Sequence, residues 1–369
     1  MYYRKFKDMK ISALGIGSLH LPNIEGSPNT IDREAASRVI EAAFEAGINY
    51  IDTAHTYHNK DSEAFLGEVL QSYPRDSYYL ASKFYVKDNP DLEEVFEEQL
   101  QRLGTDYLDF YLLHGIDETS LDLFTDRERN YMGLLEEKKK EGVIKNIGFS
   151  FHGTPETMKK LLHRCPSFDM ALIQANYVDW RLLEAEGLYN ILSEANIPVW
   201  VMEPLKGGIL ADFRGKAGRL LQSRYPESSC VSWAFRFLMG LPNVVTVLSG
   251  MASAEQIREN SKLFERPEPL GEEEKKVLEE AVSVFLDEMG VPCSSCRYCC
   301  SVCPAELDIP LIIKGYNEKR VSGETWRIAG LSTMERGPSD CTGCGKCAAR
   351  CPQKIDIPKI MREFEAKQQ

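Results

Sequence analysis

Cations are in the minority in this chain of 369 residues: 44 Lys and Arg face 56 Asp and Glu, a formal net charge of −12 at pH 7. A surface built for nucleic acid or anionic lipid needs the opposite excess. No apolar run approaches the length of a membrane span. The opening "MYYRKFKDMK" has no apolar core of secretory-signal length. These gaps set the expectation of a cytoplasmic protein, without nucleic-acid or membrane partners, whose thiols stay reduced. A glycine-rich phosphate loop is also missing. "LGIGSLHLP" holds no G-x-G-x-x-G, and proline stands where a helix would begin.

Cysteine is not lacking. Of eleven, Cys165 and Cys230 are isolated in apolar surroundings and read as small core residues. The other nine lie between Cys293 and Cys351. One run is Cys293, Cys296, Cys299 and Cys303 followed by Pro304; the second is Cys341, Cys344, Cys347 and Cys351 followed by Pro352. Each cysteine of the second run follows its counterpart by 48 residues, and "CPAELDIP" is answered by "CPQKIDIP". This is an internal duplication.

The spacing C-x2-C-x2-C-x3-C-P is that of bacterial iron–sulfur runs, in which the fourth cysteine serves the other cluster. The expected ligand sets are therefore Cys293, Cys296, Cys299 and Cys351 for one [4Fe–4S] cluster, and Cys341, Cys344, Cys347 and Cys303 for another. Structural zinc is the competing reading, but it pairs C-x2-C knuckles across a longer gap. Cys300 stands opposite Ala348 in the repeat and reads as a spare thiol. Asp308-Ile309-Pro310 and Asp356-Ile357-Pro358 read as helix starts. The long, helix-patterned link between the runs resembles that of helical dicluster ferredoxin domains attached to oxidoreductases.

Upstream, short apolar runs alternate with helix-patterned stretches. The strands are expected near Ala13–Gly17, Ile48–Asp52, Tyr79–Lys83, Leu108–Leu113, Lys145–Ser150, Ala171–Asn176, Pro198–Met202 and Val244–Leu248. Buried parallel strands read as such continuous runs. Eight units over about 260 residues match a (β/α)8 TIM barrel, with an open doubly wound sheet as runner-up. The strand ends carry Asp52, Lys83, His114, Ser150, Gln174 with Asn176, Glu203 and Ser249, and a barrel would bring them to one mouth. Any one of them could cap a helix or fill a rim; together they point to chemistry.

Here a family resemblance enters. "INYIDTAHTYHNKDSEAFLGEVL" resembles the strand-2 signature of the aldo-keto reductases, with Asp52 and Tyr57 at the family spacing. "YLASKF" matches the strand-3 lysine, Lys83, and "DFYLLHG" the strand-4 histidine, His114. "IKNIGFSFHG", "LIQANY", "VMEPLKGG" and "VVTVLSGMASAEQIREN" are similar to the later strands. The resemblance covers roughly residues 1–265. It implies a small carbonyl substrate reduced by hydride from NAD(P)H.

Hydride addition leaves negative charge on oxygen, so an acid must be at hand. A free tyrosine titrates near pH 10. A neighbouring Lys83 ammonium is expected to lower that value, with Asp52 holding Lys83 charged and His114 orienting the substrate oxygen. By resemblance, Tyr57 is the proton donor. The resemblance also implies nucleotide contacts at Gly17, Ser18, Ser150, Gln174, Met202, Leu205 and Asn260. "SAEQ" reads as a capping box at Ser253–Gln256 whose helix N-terminus suits phosphate. The chain departs from the family where many relatives place Lys and Arg for a 2′-phosphate, having Gly250 and Gln256. Met202 stands where many place an aromatic ring.

The two halves do not share a currency. Nicotinamides move two electrons as hydride, whereas iron–sulfur clusters move one; a flavin is the usual converter. The leading expectation is a carbonyl-reducing (or, in reverse, carbonyl-forming) oxidoreductase with the clusters as a port to a redox partner protein. The alternatives are an ordinary NAD(P)H-dependent reductase with structural clusters, or a non-catalytic electron carrier or redox sensor. The expected domains are a barrel over residues 1–265, a linker and helix over 266–290 with the helix from Glu272 to Met289, and a small, mostly helical ferredoxin-like domain over 291–369.

Overall fold

At its N-terminus the chain turns back on itself at Lys7, in the left-handed region with φ 53°. Strand β1 (Tyr3–Phe6) thereby pairs antiparallel with β2 (Met9–Ser12), Phe6 opposite Met9. The sequence does not announce this hairpin, because the turn carries no glycine or asparagine. The computed structural model describes all of the chain except residues 28, 214, 289, 323–324, 326–330, 332–333 and 367–369, and the side chains of 182, 287, 288, 318, 321, 322 and 366.

Eight parallel strands follow: β3 (Leu14–Gly17), β4 (Tyr50–Asp52), β5 (Tyr79–Phe84), β6 (Leu108–Ile116), β7 (Ile144–Phe151), β8 (Met170–Gln174), β9 (Val199–Met202) and β10 (Val244–Ser249). They pair in chain order, and β10 closes on β3, so the sheet is a closed barrel. The expected (β/α)8 architecture is present, and every expected strand overlaps an observed one.

Side-chain parity decides what lines the barrel. Tyr50, Ala81, Phe110, Leu112, Met170, Leu172 and Trp200, with Phe6 and Ile11 of the hairpin, form one buried cluster. Phe6 meets Trp200 edge-on at 5.0 Å between ring centroids, and Phe110 lies 5.4 Å from Trp200. These residues are the inward set. Two positions further along their strands, on the same inward face, stand Asp52, Lys83, His114, Gln174 and Met202. Gly148 and Gly15 are inward too: a Cβ on Gly148 would fall 2.1 Å from Met170 Sδ, and one on Gly15 would fall 2.7 Å from Leu248 Cδ2.

Outer helices start at side-chain caps. Asp32 accepts from Ala35 N–H, Asp91 from Glu94, Thr154 from Thr157 and Ser253 from Gln256. Among the described residues, no helix is long and apolar enough to cross a membrane.

The chain divides into two compact units: Met1–Pro204 with Val231–Leu270, and Leu205–Cys230 with Gly271–Gln369. The segment that leaves the barrel after β9 thus belongs to the second unit. Within that unit its helix Gly215–Arg224 packs on the helix Glu272–Glu288, with Phe213 and Phe285 rings 4.8 Å apart. Met289, the expected end of the latter helix, lies outside the described residues. A second core gathers Ile309, Ile312, Ile313, Tyr316, Ile357, Ile360, Met361 and Phe364 with two of the thiols, Cys299 and Cys347.

Candidate active site and cluster site

Lys83 is wholly buried on β5, and its three ammonium protons have three acceptors. They reach Asp52 Oδ1 in a close contact, the Thr53 carbonyl at 2.7 Å and Tyr57 Oη at 3.3 Å. Burial disfavours the charged forms of both Asp52 and Lys83, raising the carboxyl and lowering the ammonium, and their mutual contact opposes both shifts. The His114 ring stands edge-on to Tyr57 at 5.8 Å and to Tyr85 at 5.6 Å. Its Nδ1 is buried without a partner. Burial, then the charges of Lys83, His152 and His55, push His114 well below the usual imidazole range, so it is neutral at neutral pH.

One sequence expectation is corrected. Tyr57 is not lowered beside Lys83; it is pushed well above its ordinary value, first by burial and then by Asp52 and Glu203. The desolvation cost of a phenolate in this wall exceeds what a lysine 3.3 Å away returns.

The loop that carries Tyr57 is clamped on both sides of it. Thr53 Oγ1 meets Ser62 Oγ at 3.0 Å, which donates to Ser18 Oγ at 2.8 Å. His55 Nδ1 takes a hydrogen bond from Arg102 at 2.9 Å, and Nε2 meets Asp88 at 2.9 Å. A guanidinium only donates, so Nδ1 is the acceptor and Nε2–H donates to Asp88. Beyond Tyr57, His58, Asn59 and Lys60 all hold left-handed backbone, φ 48°, 54° and 75°. Such strain persists only where neighbours over-determine it; here His58 Nε2 meets the Ser18 carbonyl at 3.1 Å and Lys60 pairs with Asp88 at 3.0 Å.

A buried carboxylate anchors this support. Glu63, fully buried, accepts from Ser82, from Gln99 Nε2 at 2.6 Å and from Arg102 Nε at 2.9 Å. Gln99 also donates to the Lys83 carbonyl at 3.1 Å. None of His55, Glu63, Gln99 or Arg102 was singled out from the sequence, where each reads as an ordinary polar helix or loop residue.

The residues expected to contact a nucleotide are variously engaged. A Cβ at Gly17 would have nothing within 4 Å. Ser150 Oγ accepts from Gly115 N–H at 2.7 Å. Gln174 donates its amide to Asp179 at 2.9 Å, and Asn176 donates to the same carboxylate at 2.6 Å. Met202 ends β9 on the inward face. At the helix Ala254–Leu263, Ser253 accepts from Gln256 N–H at 3.2 Å, and Gln256 Oε1 accepts from Ala252 N–H at 2.8 Å. Asn260 is half-buried one turn on. Gly250 has a steric reason to be glycine: a Cβ there would lie 2.5 Å from His20 Nδ1. Leu205 belongs to the second unit, where its carbonyl accepts from Gly208 and Leu210 N–H.

In the second unit the duplication is written into the backbone. Left-handed residues recur 48 positions apart: Ser295 (φ 59°) with Gly343 (68°), Arg297 (64°) with Gly345 (73°), and Glu306 (51°) with Lys354 (51°). Cys303 N–H bonds the Cys300 carbonyl as Cys351 N–H bonds that of Ala348. Asp308 caps the helix Ile309–Ser322 through Leu311 N–H at 3.3 Å, and Asp356 caps Ile357–Ala366 through Lys359 N–H at 3.2 Å.

These turns enclose two cavities. Cys303, Cys341, Cys344 and Cys347 line one; Cys293, Cys296, Cys299 and Cys351 line the other. Apolar walls come from Ile309, Pro358 and Met361 in the first and Pro310, Ile313 and Ile355 in the second, with Ile357 shared. Burial pushes Cys293 and Cys347 up to about 11. Among the described residues, no three His, Cys, Asp or Glu side chains converge on one point as the ligands of a single ion do. The quartets surround a space instead, an arrangement that fits an iron–sulfur cluster.

Comparison with known proteins follows the same division. The model of the aldo/keto reductase family matches residues 13–282, and that of the 4Fe-4S dicluster domain matches residues 292–355. An uncharacterized oxidoreductase, YqkF, of Bacillus subtilis (strain 168) is 27% identical over 316 residues, covering 74% of this chain and 93% of that protein. The NADH-specific methylglyoxal reductase of Escherichia coli (strain K12) is 25% identical over 301 residues, covering 69% and 90%. The holo form of the aldo-keto reductase AKR11C1 from Bacillus halodurans superposes with a TM-score of 0.63 at 26% identity, covering 76% of this chain and 96% of that one. The chain belongs to the aldo/keto reductase family and is an oxidoreductase of that type carrying a 4Fe-4S dicluster domain.

Proposed function

We propose that the barrel reduces a small carbonyl, or runs the reverse reaction, with Tyr57 as proton donor and a nicotinamide dinucleotide as hydride carrier. The observation that carries this reading is the run of contacts from Asp52 through Lys83 to Tyr57 Oη, with the neutral His114 ring against it. The E. coli relative is named for NADH and methylglyoxal, a small carbonyl compound. The residues fit a nicotinamide: Gly17 leaves room, and Gln174, with its amide nitrogen committed to Asp179, offers an acceptor for a carboxamide. Gly250 and Gln256 supply no cation for a 2′-phosphate, which favours NADH over NADPH.

When bound, the nicotinamide supplies the hydride. The protein's part is proton delivery. Because Tyr57 is held well above its ordinary value, it keeps its proton throughout the neutral range. Negative charge developing on the substrate oxygen draws that proton across, and the Lys83 ammonium stabilises the phenolate left behind. Asp52 keeps Lys83 protonated and aimed. His114, neutral, donates to the substrate oxygen and orients it.

The second unit, on this proposal, holds two [4Fe–4S] clusters, one on Cys293, Cys296, Cys299 and Cys351 and one on Cys303, Cys341, Cys344 and Cys347. They pass single electrons to or from a redox partner protein, with a flavin as the class of cofactor able to join one- and two-electron steps. Reduced thiols fit a reducing compartment such as the cytoplasm. A structural role for the clusters has one observation behind it: Cys299 and Cys347 are part of the unit's apolar core. Anaerobic protein titrated with NADH, then NADPH, separates the two. Bleaching of the cluster absorption supports the electron port; unbleached clusters together with full aldehyde turnover leave the structural role.

A further inference from the structure

On the inner wall, just past the end of β7, stands His152. Gly148, Ser150 and His152 alternate along one face of β7 and beyond its end, and Gly148 fixes that face as the inner one by its closeness to Met170. The alternate residues point outward, where Phe149 packs on Phe168 at 4.6 Å and on Phe151 at 6.2 Å. Pairing continues one residue past the strand, since His152 N–H bonds the Ile116 carbonyl at 2.8 Å. The ring therefore stands one inward position above Ser150, roughly 6.6 Å further along the strand. It is near enough to His114 for a charge on either to disfavour a charge on the other.

Among the described residues, nothing hydrogen-bonds to the ring nitrogens of His152, and the side chain is half-buried. Burial, opposed by Asp117, brings its pKa to about 4, so the ring is uncharged at neutral pH. A neutral imidazole offers one donor and one acceptor. A carboxylate or phosphate would find no cation there, and an alkyl chain would strip both nitrogens of water without replacing it. A hydroxyl, itself donor and acceptor, matches both.

We infer that His152 recognises a hydroxyl group next to the reacting carbonyl, so that the pocket selects hydroxy-aldehydes and hydroxy-ketones over plain alkyl carbonyls. This rests on the reading of the barrel mouth as a carbonyl-reducing site. His152 acts on selectivity; it takes no part in the hydride or proton step.

The test compares glyceraldehyde with propanal in the cluster-loaded protein, at matched far-UV dichroism and iron content. In His152→Phe the ratio of kcat/KM for glyceraldehyde over propanal should fall about tenfold, the worth of one neutral hydrogen bond, and His152→Asn, which keeps a donor and an acceptor, should restore most of it. An unchanged ratio in His152→Phe overturns the inference. Imidazole nitrogen NMR of the wild-type protein needs no turnover. Glyceraldehyde should shift the His152 signals and propanal should not, and equal or absent shifts overturn the inference as well. Binding of glyceraldehyde at His152 without turnover of either aldehyde would count against the reductase reading alone.

Discussion

The Lys83 ammonium donates to the Tyr57 hydroxyl at 3.3 Å and lies 4.8 Å from the centre of its ring. The hydroxyl is the group that phenylalanine lacks. Tyr57→Phe should lower aldehyde reduction by roughly 10²–10⁴-fold, the range of a single acid–base residue. Nucleotide affinity, followed by fluorescence titration, should hold. Turnover equal to wild type would show that another group delivers the proton.

The cysteine sets cross between the two runs. Cys351 lines the cavity of Cys293, Cys296 and Cys299, and Cys303 that of the second run. Cys351→Ser should therefore damage the first run's cluster, taking anaerobic iron from about eight to about four per chain. Cys300 lines neither cavity, and Cys300→Ser should leave iron content as it was. Zinc in place of iron in the anaerobic wild-type protein would defeat the assignment.

Glu63 is the pivot of the polar support behind Lys83. Alanine there leaves the Arg102 Nε–H and the Ser82 hydroxyl without the acceptor they share. Breaking a buried pair from one side costs about 3–5 kcal/mol, and the partial exposure of Arg102 puts this case near 3. Urea unfolding monitored at the barrel should show that loss. A change within experimental error would mean water replaces the carboxylate freely.

Acid should loosen the barrel before it reaches the carboxylates. His20, His55, His58, His114 and His152 all sit below their ordinary 6.5, burial being the first cause for each. On unfolding each takes a proton near 6.5, whereas folded His152 waits until about 4. The unfolded state binds more protons across that window, so stability falls as pH drops through it. Asp88, Asp117, Glu118 and Asp169, held below 3.8 or 4.5, lose their stabilisation only lower down. Asp52 and Asp109, raised by burial, oppose the trend, two groups against five. Urea midpoints should be lower at pH 5 than at pH 7.5, with a shallower fall in His152→Asn. A flat profile would show that the histidines are already charged in the folded protein.

The barrel was legible because a parallel strand buried on both faces leaves a continuous apolar run, and each run ends on its polar residue. The cysteine pairing was legible because tight turns set which thiols can face one cavity, and the 48-residue repeat copied the turns intact. The helix starts at Asp308 and Asp356 were legible because a cap acts within one turn. These are local relations, carried by spacing alone. The hairpin at Lys7 escaped notice for want of turn residues, and the segment 205–230 because its packing partner, the helix Glu272–Glu288, lies far along the chain. Lys83 taken alone gives the Tyr57 shift the wrong direction, because burial, Asp52 and Glu203 act on the same oxygen. Likewise, His152 could be told from a rim residue only once Gly148 had shown which face of β7 looks inward. Spacing and periodicity are properties of neighbours in sequence. Burial, parity and the sum of charges at one atom are properties of neighbours in space, and only folding brings those together.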